Sequence, residues 1–367
     1  MANLNLNFIL VFLLFSLFGS SPLGIFKPSS CSEDQSRTNT KCIYTEREAL
    51  LSFKKGVSDD SGWLSSWVGE DCCQWGGVEC NNQTGHVTEL DLSCEGEDNS
   101  CSFGEEILTH LGNLSSLMHL DLYSNSFNMK ADNLDWLPSL SSLKYLDMGG
   151  RNLTGANWLH AVNMLPSLRE LHLSECEFDR LPPSFPFVNL TSLFVLDLSN
   201  NQFDSSIPQW LFNLTSLTIL DLSTNSLQGT IPYNFVNLRN LEHLDLSENP
   251  YITGPIPSNI GDLMTTLEIL DLSENLLSGK IPLSIRKMIY LSILDLNSNQ
   301  LSGKLPNYWN ELQDLKDSAN NCIESGSLEK EIGAGKILKF EDGKFSPLGL
   351  RLRYVRFSLP VVLFWLL

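Results

Sequence analysis

The chain has 367 residues, 42% of them apolar, with 24 Lys and Arg against 43 Asp and Glu, a formal net charge of −19. That acidic balance argues against a nucleic-acid surface, which needs cations to neutralise phosphates. The apolar content excludes a chain that is disordered throughout.

The first predicted element is a secretory leader over residues 1–25. Phe8 to Phe18 is an apolar run, followed by the small residues Gly19, Ser20 and Ser21. The run is too short to span about 30 Å of hydrocarbon. No Lys or Arg precedes it, so the α-amino group alone supplies the leading charge.

Residues 42–82 read as a cap. Ala49, Leu50 and Phe53 have helical apolar spacing within the run from Glu46 to Lys54. Cys42, then Cys72, Cys73 and Cys80 around Trp75, are most simply disulfides in a secreted chain, since no His accompanies them as in a zinc site. Their connectivity does not follow from the sequence. Cys94 and Cys101 are expected to close the acidic loop around Glu95, Glu97 and Asp98, and Cys176 to be a buried thiol, with Cys31 and Cys322 left over.

From residue 86 to about 316 a repeat dominates. Leu-x-x-Leu-Asp-Leu-Ser and its relatives place an apolar residue at Leu92, Leu122, Met148, Leu173, Leu198, Leu222, Leu246, Leu272 and Leu296, at intervals of 24 to 30 residues. An Asn follows three residues on at Asn125, Asn201, Asn225, Asn249, Asn275 and Asn299. This is the leucine-rich-repeat pattern, with nine to ten coils. One coil cannot bury its own apolar face, so coils stack into a parallel sheet. The Asn amides are expected to bond backbone groups of neighbouring coils as a ladder. Arg151 and Cys176 replace two of them, predicting a local irregularity. Gly-x-Ile-Pro relatives at Gly229, Gly254, Gly279 and Gly303 resemble the plant-specific repeat class, which implies a small second sheet, its strands stopped by Pro.

The pattern fails after Leu315. Residues 318–367 form an aberrant basic tail that is expected not to fold: its last forty residues hold seven Lys and Arg against four Asp and Glu. The closing stretch, residues 359–367, is apolar but nine residues long, too short for a transmembrane helix.

Several stretches carry a family resemblance. The cap run Thr45 to Lys54, the cysteine block, and Gly85-His86-Val87-Thr88-Glu89-Leu90 resemble plant leucine-rich-repeat receptor-like proteins. Asn163 to Leu171 and Pro208 to Leu214 resemble the branch of ethylene-inducing-xylanase receptors in particular. The resemblance implies an α/β solenoid, a plant-type horseshoe with a parallel concave sheet and a disulfide-bonded N-terminal cap. It also implies the pairings Cys42–Cys72 and Cys73–Cys80, and an ectodomain of a plasma-membrane receptor signalling through a co-receptor kinase. Such proteins have more repeats, a membrane span and a short tail, so a truncated reading of a longer gene is one expectation for this chain.

The concave sheet is the default binding surface. One of its columns is nearly all Asp, from Asp91 to Asp295 with His172 interrupting, and is expected to be satisfied by local hydrogen bonds. The columns that vary are better candidates. They yield Lys144, Tyr145, Arg169, His172, Phe194, Glu242 and Glu268 as ligand-binding residues. Sequons at Asn82, Asn113, Asn152, Asn189 and Asn213 are candidate glycosylation sites. No nucleophile elbow, metalloprotease motif, phosphate loop or kinase signature occurs, so no enzyme and no cofactor or metal is expected. The expected function is recognition of a microbial protein or peptide in plant defence. The alternatives are a secreted inhibitor of a fungal cell-wall-degrading enzyme, resembling polygalacturonase-inhibiting proteins, or a soluble decoy in the apoplast.

Overall fold

The computed structural model describes residues 40–56, 62–93, 105–123, 133–303, 339–341 and 344–346. Cys31, the Cys94–Cys101 pair, Cys322, the leader and most of the tail lie outside these residues. Within the tail, β15 (Lys339–Glu341) pairs antiparallel with β16 (Lys344–Ser346).

The cap opens with helix α1 (Tyr44–Gly56), which buries Glu46, Ala49, Leu50 and Phe53. Those positions recur every three or four residues, one stripe of a helix. Phe53 packs beside Trp67, which stacks on Trp75 with ring centroids 5.4 Å apart. Each indole satisfies its N–H on a carbonyl: Trp67 on Gly76, Trp75 on Val68. The disulfides Cys42–Cys72 and Cys73–Cys80 are formed as the resemblance implies, with Cα separations of 5.4 and 5.5 Å. The buried Glu46 carboxylate accepts from the Val87 N–H and meets His86 Nδ1, both at 2.7 Å. It thereby ties the cap helix to the first coil.

Strand β1 (Val78–Cys80) runs antiparallel to β2 (Val87–Asp91). It covers the edge that the first coil would otherwise expose. A parallel series follows: β3 (His119–Asp121), β4 (Tyr145–Asp147), β5 (Glu170–His172), β6 (Val195–Asp197), β7 (Ile219–Asp221), β9 (His243–Asp245), β11 (Ile269–Asp271) and β13 (Ile293–Asp295). With β1 and β2 they form a ten-stranded sheet among the described residues. Register is unbroken, Leu90 opposite Leu120, Leu146, Leu171 and so on to Leu294. These leucines are at most 2% exposed. Each contributes about 1.5–3 kcal/mol through burial. Strands end at the third residue, so the next leucine of the motif, such as Leu222, lies just past the strand yet is fully buried.

The second sheet is real and short. β8 (Gln228–Thr230), β10 (Tyr251–Pro255), β12 (Leu276–Gly279) and β14 (Gln300–Leu301) pair in parallel. Pro plays a different part from the one expected. β8 ends at Thr230 and β12 at Gly279, ahead of the motif Pro. Pro232 and Pro282 instead stand directly before short 3-10 helices, Tyr233–Asn237 and Leu283–Lys287. Their φ of −66° is already set for that turn. Helix α2 (Trp158–Asn163) packs against the turn Leu137–Ser139 of an earlier coil, and helix α3 (Ile260–Leu263) packs between the turns Tyr233–Asn237 and Leu283–Lys287. Coils approach closely here. A Cβ on Gly261 would sit 1.9 Å from the Ser284 carbonyl, so only Gly fits.

The Asn ladder is regular. Asn249 is fully buried, and its Nδ2 donates to Leu222, Leu246 and Ser247 carbonyls at 3.0–3.1 Å. Its Oδ1 accepts the Leu227 N–H at 3.0 Å. The irregularity expected at Arg151 and Cys176 does not occur in the main sheet. Arg151 Nε reaches the Leu122 carbonyl at 2.7 Å, the place an Asn amide takes in later coils. The Cys176 thiol points at the Met148 and Ser174 carbonyls at 3.4 and 3.5 Å. Both side chains donate to the acceptors the ladder requires, so the coil spacing survives the substitution.

Candidate ligand-binding face

The exposed face of the main sheet is built from two rows per coil. In each strand the leucine points inward, and the residues before and after it point outward. A third row precedes the strand. Its backbone runs as a continuous chain of hydrogen bonds: Lys144 to Met118, Arg169 to Lys144, Phe194 to Arg169, Thr218 to Phe194, Glu242 to Thr218 and Glu268 to Glu242, each 2.7–2.9 Å. Residues about 24 positions apart in sequence thus become immediate neighbours.

Lys144, Tyr145, Arg169, His172 and Phe194 are brought together on β4 to β6 and the residues leading into them. Lys144 and Arg169 are exposed, while Tyr145, His172 and Phe194 are half-buried. Glu242 and Glu268 adjoin one another but are separated from Phe194 by Thr218. They belong to a different part of the face, and the row runs from cationic to acidic.

Ring contacts add a residue that sequence reasoning left out. His119 stacks on Tyr145 with centroids 4.1 Å apart and planes within 8°, and Tyr145 leans on His172 at 5.4 Å. The signal was present, since His119 and Tyr145 share one column in adjacent coils.

His172 faces three carboxylates. Nδ1 lies 3.6 Å from Asp197 and Nε2 3.9 Å from Glu170, with Asp147 beside it in register. Burial alone would lower its pKa. The Asp197 and Glu170 carboxylates close to its two ring nitrogens, with the charge of Asp147 beside them, outweigh that and raise it to about 9. The imidazolium therefore stands as a fixed cation in the Asp column. Arg151 is fully buried; burial lowers its pKa to about 10, while Cys176, Asp147 and Asp121 act against that fall. The guanidinium stays charged and offsets the buried Asp121 and Asp147.

The Asp column is satisfied locally, as expected. Each Oδ1 accepts the N–H two residues on: Ser199 to Asp197, Ser223 to Asp221, Ser247 to Asp245, Ser273 to Asp271 and Asn297 to Asp295, at 2.8–3.0 Å. Even so, burial raises the pKa of Asp221 to about 7 and of Asp295 to about 6, with neighbouring carboxylates adding to the shift. Asp245 and Asp271 move the same way, again through burial first. No ion pair joins any of these four to a cation among the described residues.

Of the sequons, Asn82, Asn113 and Asn213 are exposed and Asn152 and Asn189 half-buried. The Asn152 Nδ2 donates to Glu177 Oε2 at 2.5 Å. The Cys42, Cys72 and Cys73 sulfurs cluster but are consumed by the two disulfides. No helix among the described residues is long and apolar enough to cross a membrane.

The comparisons agree with this architecture. A leucine-rich-repeat N-terminal domain matches residues 43–81. Leucine-rich repeats match 166–227, 205–250, 240–263, 266–288 and 290–312. The chain is 35% identical over 235 residues to receptor-like protein EIX1 of Solanum lycopersicum, covering 47% of this chain and 23% of that protein. Receptor-like protein EIX2 of the same plant is 36% identical over 231 residues, covering 47% and 22%. The chain thus spans under a quarter of the length of these curated relatives. Among solved structures, the ectodomain of the Arabidopsis thaliana receptor kinase GASSHO1/SCHENGEN3, in complex with CASPARIAN STRIP INTEGRITY FACTOR 2, superposes with a TM-score of 0.61 at 29% identity, covering 74% of this chain and 32% of that one. A plant ice-binding protein superposes with a TM-score of 0.58 at 25% identity, covering 74% and 92%. One scaffold thus carries unlike functions, and the face must decide between them.

Proposed function

From a leucine-rich-repeat chain that resembles the plant receptor-like proteins, we propose an extracellular ligand-binding module that recognises a microbial protein or peptide in defence. The ligand lies on the exposed face of the main sheet, centred on Lys144, Tyr145, Arg169, His172 and Phe194, with Glu242 and Glu268 at its far end. The supporting observation is the His119–Tyr145–His172 ring series flanked by Lys144 and Arg169. Stacked, half-buried aromatics beside cations suit the centre of a protein interface, where rigid rings and guanidinium groups concentrate the binding energy. We read this arrangement as a binding face. Glycans on Asn82, Asn113, Asn152, Asn189 and Asn213 would leave the face open. Signalling would require a partner kinase at the plasma membrane.

The test uses a purified fungal xylanase as the first probe, with binding followed by biolayer interferometry. Tyr145→Ala and Arg169→Ala should each weaken binding by about 1–2 kcal/mol, roughly a five- to thirty-fold rise in Kd. An unchanged Kd in both would move the site elsewhere. A wild-type chain that instead inhibits a fungal polygalacturonase would establish the inhibitor reading.

A further inference from the structure

The face divides electrostatically into two halves. On β3 to β6, carboxylates meet cations: the charge of buried Arg151 acts on Asp121 and Asp147, and His172 stands between Glu170 and Asp197. On β7, β9, β11 and β13 the pattern is different. The stretches 218–223, 242–247, 268–273 and 292–297 contain six carboxylates and no Lys or Arg. The outward rows there are simple. One is Ile219, His243, Ile269 and Ile293, in register on neighbouring strands. The other is Asp221, Asp245, Asp271 and Asp295 in the same register. The Thr218, Glu242, Glu268 and Ser292 row lies beyond the isoleucines. A strip of three isoleucines, interrupted by His243, therefore runs between the Asp row and a row that carries Glu242 and Glu268. Adjacent strands are about 4.8 Å apart, so the strip extends roughly 14 Å across four strands, the length of about four extended residues.

We infer that this half of the face docks an extended peptide segment in which single branched apolar side chains are separated by pairs of Lys or Arg, a period of three that turns the apolar side chains to the sheet and the cations to its borders. The apolar side chains cover the Ile219, Ile269 and Ile293 strip, and the cations reach Asp245, Asp271 and Glu268. Charge complementarity selects this occupant. The chain carries a net charge of −19, so a second copy would bring like charge to like. A cationic segment instead relieves the repulsion within the Asp row. The inference rests on the sheet-face reading above and names the ligand chemistry of its C-terminal half.

The test is fluorescence anisotropy with acetyl-(Val-Arg-Arg)3-amide, labelled, against acetyl-(Val-Glu-Glu)3-amide, on the full chain. The face variant is Asp245→Asn with Asp271→Asn. Each Asn keeps an oxygen to accept the Ser247 or Ser273 N–H, so the coil is retained. The charge-matched control removes two carboxylates away from the face, Glu70→Gln with Asp204→Asn. The basic peptide should bind saturably, the acidic one should not, and the face variant should raise Kd about tenfold while the control changes it less than twofold. Equal losses in face and control variants would overturn the inference, because binding would then follow net charge alone. Saturable calcium binding lost in the face variant, without peptide binding, would overturn it in favour of a cation ladder. Either result leaves the Tyr145 and Arg169 experiment untouched. Conversely, loss of xylanase binding with the basic peptide retained leaves this inference standing.

Discussion

At the residue scale, the ladder position and the residue before it carry the coil. Asn249 replaces four bonds that a buried backbone cannot otherwise make. Asn249→Ala should cost about 3 kcal/mol, since the carbonyls left behind are buried and water cannot reach them. Asn240→Ala removes one exposed bond, to the Thr215 carbonyl, and should stay within about 0.5 kcal/mol. Urea denaturation of both, side by side, checks the contrast. Directly before each ladder residue the backbone is left-handed: Asn200, Thr224, Glu248, Glu274 and Ser298 have φ of 52–55°. Thr is the poorest fit, because its branched Cβ crowds the carbonyl there. Thr224→Asn should therefore stabilise by roughly 0.5–1 kcal/mol, read as a higher urea midpoint at unchanged slope.

At the scale of the strand rows, burial sets a pH dependence. Asp221 faces Asp197, Asp245 and Asp271; Asp295 faces Asp271 and Glu274; Glu248 and Glu274 also act on Asp271. Their folded pKa values, up to about 7 and about 6, exceed the 3.8 of an ordinary Asp, so the folded state binds the extra protons. Stability then falls as pH rises from about 4 to about 7. His172, at about 9 against 6.5, contributes stability that is complete below pH 6.5 and lost by about 9. His243 opposes, since burial lowers its pKa despite Glu242 beside it. The rows outnumber it, so Tm should be higher at pH 5.5 than at pH 8. A flat or rising profile over that range, in calorimetry at constant ionic strength, would contradict the assignment. In the Asp245→Asn, Asp271→Asn variant the dependence should shrink.

For the molecule as a whole, stability is passed between neighbouring coils and closed at one end by the cap. The disulfides hold that end. Cys42–Cys72 closes 30 residues and Cys73–Cys80 closes 7. Loop-closure entropy makes the first worth about 3.6 kcal/mol and the second about 2.4. Replacing the Cys42 and Cys72 pair by Ala should lower the unfolding midpoint more than replacing Cys73 and Cys80. Hydrogen exchange should place the resulting loosening at β1 and β2 before β9 to β13, because each coil touches only its neighbours. Equal protection losses along the chain would instead indicate one cooperative unit.

Much of this was legible in the sequence. A leucine every 24 or so residues fixes the solenoid, since no single coil can bury its own face. The buried Asn needs backbone partners and so announces the ladder. The cap helix was readable from its apolar stripe, and the cysteine pairing only through the family resemblance. Tertiary structure decided the rest. That Arg151 and Cys176 donate to the ladder's acceptors depends on side-chain reach across a coil. That His119 joins the Tyr145 site, and that Glu242 and Glu268 leave it, depends on which coils are adjacent. The division of the face into a compensated and an acidic half arises in the same way. Electrostatic energy depends on separation in space, and here neighbours in space lie about 24 residues apart in sequence.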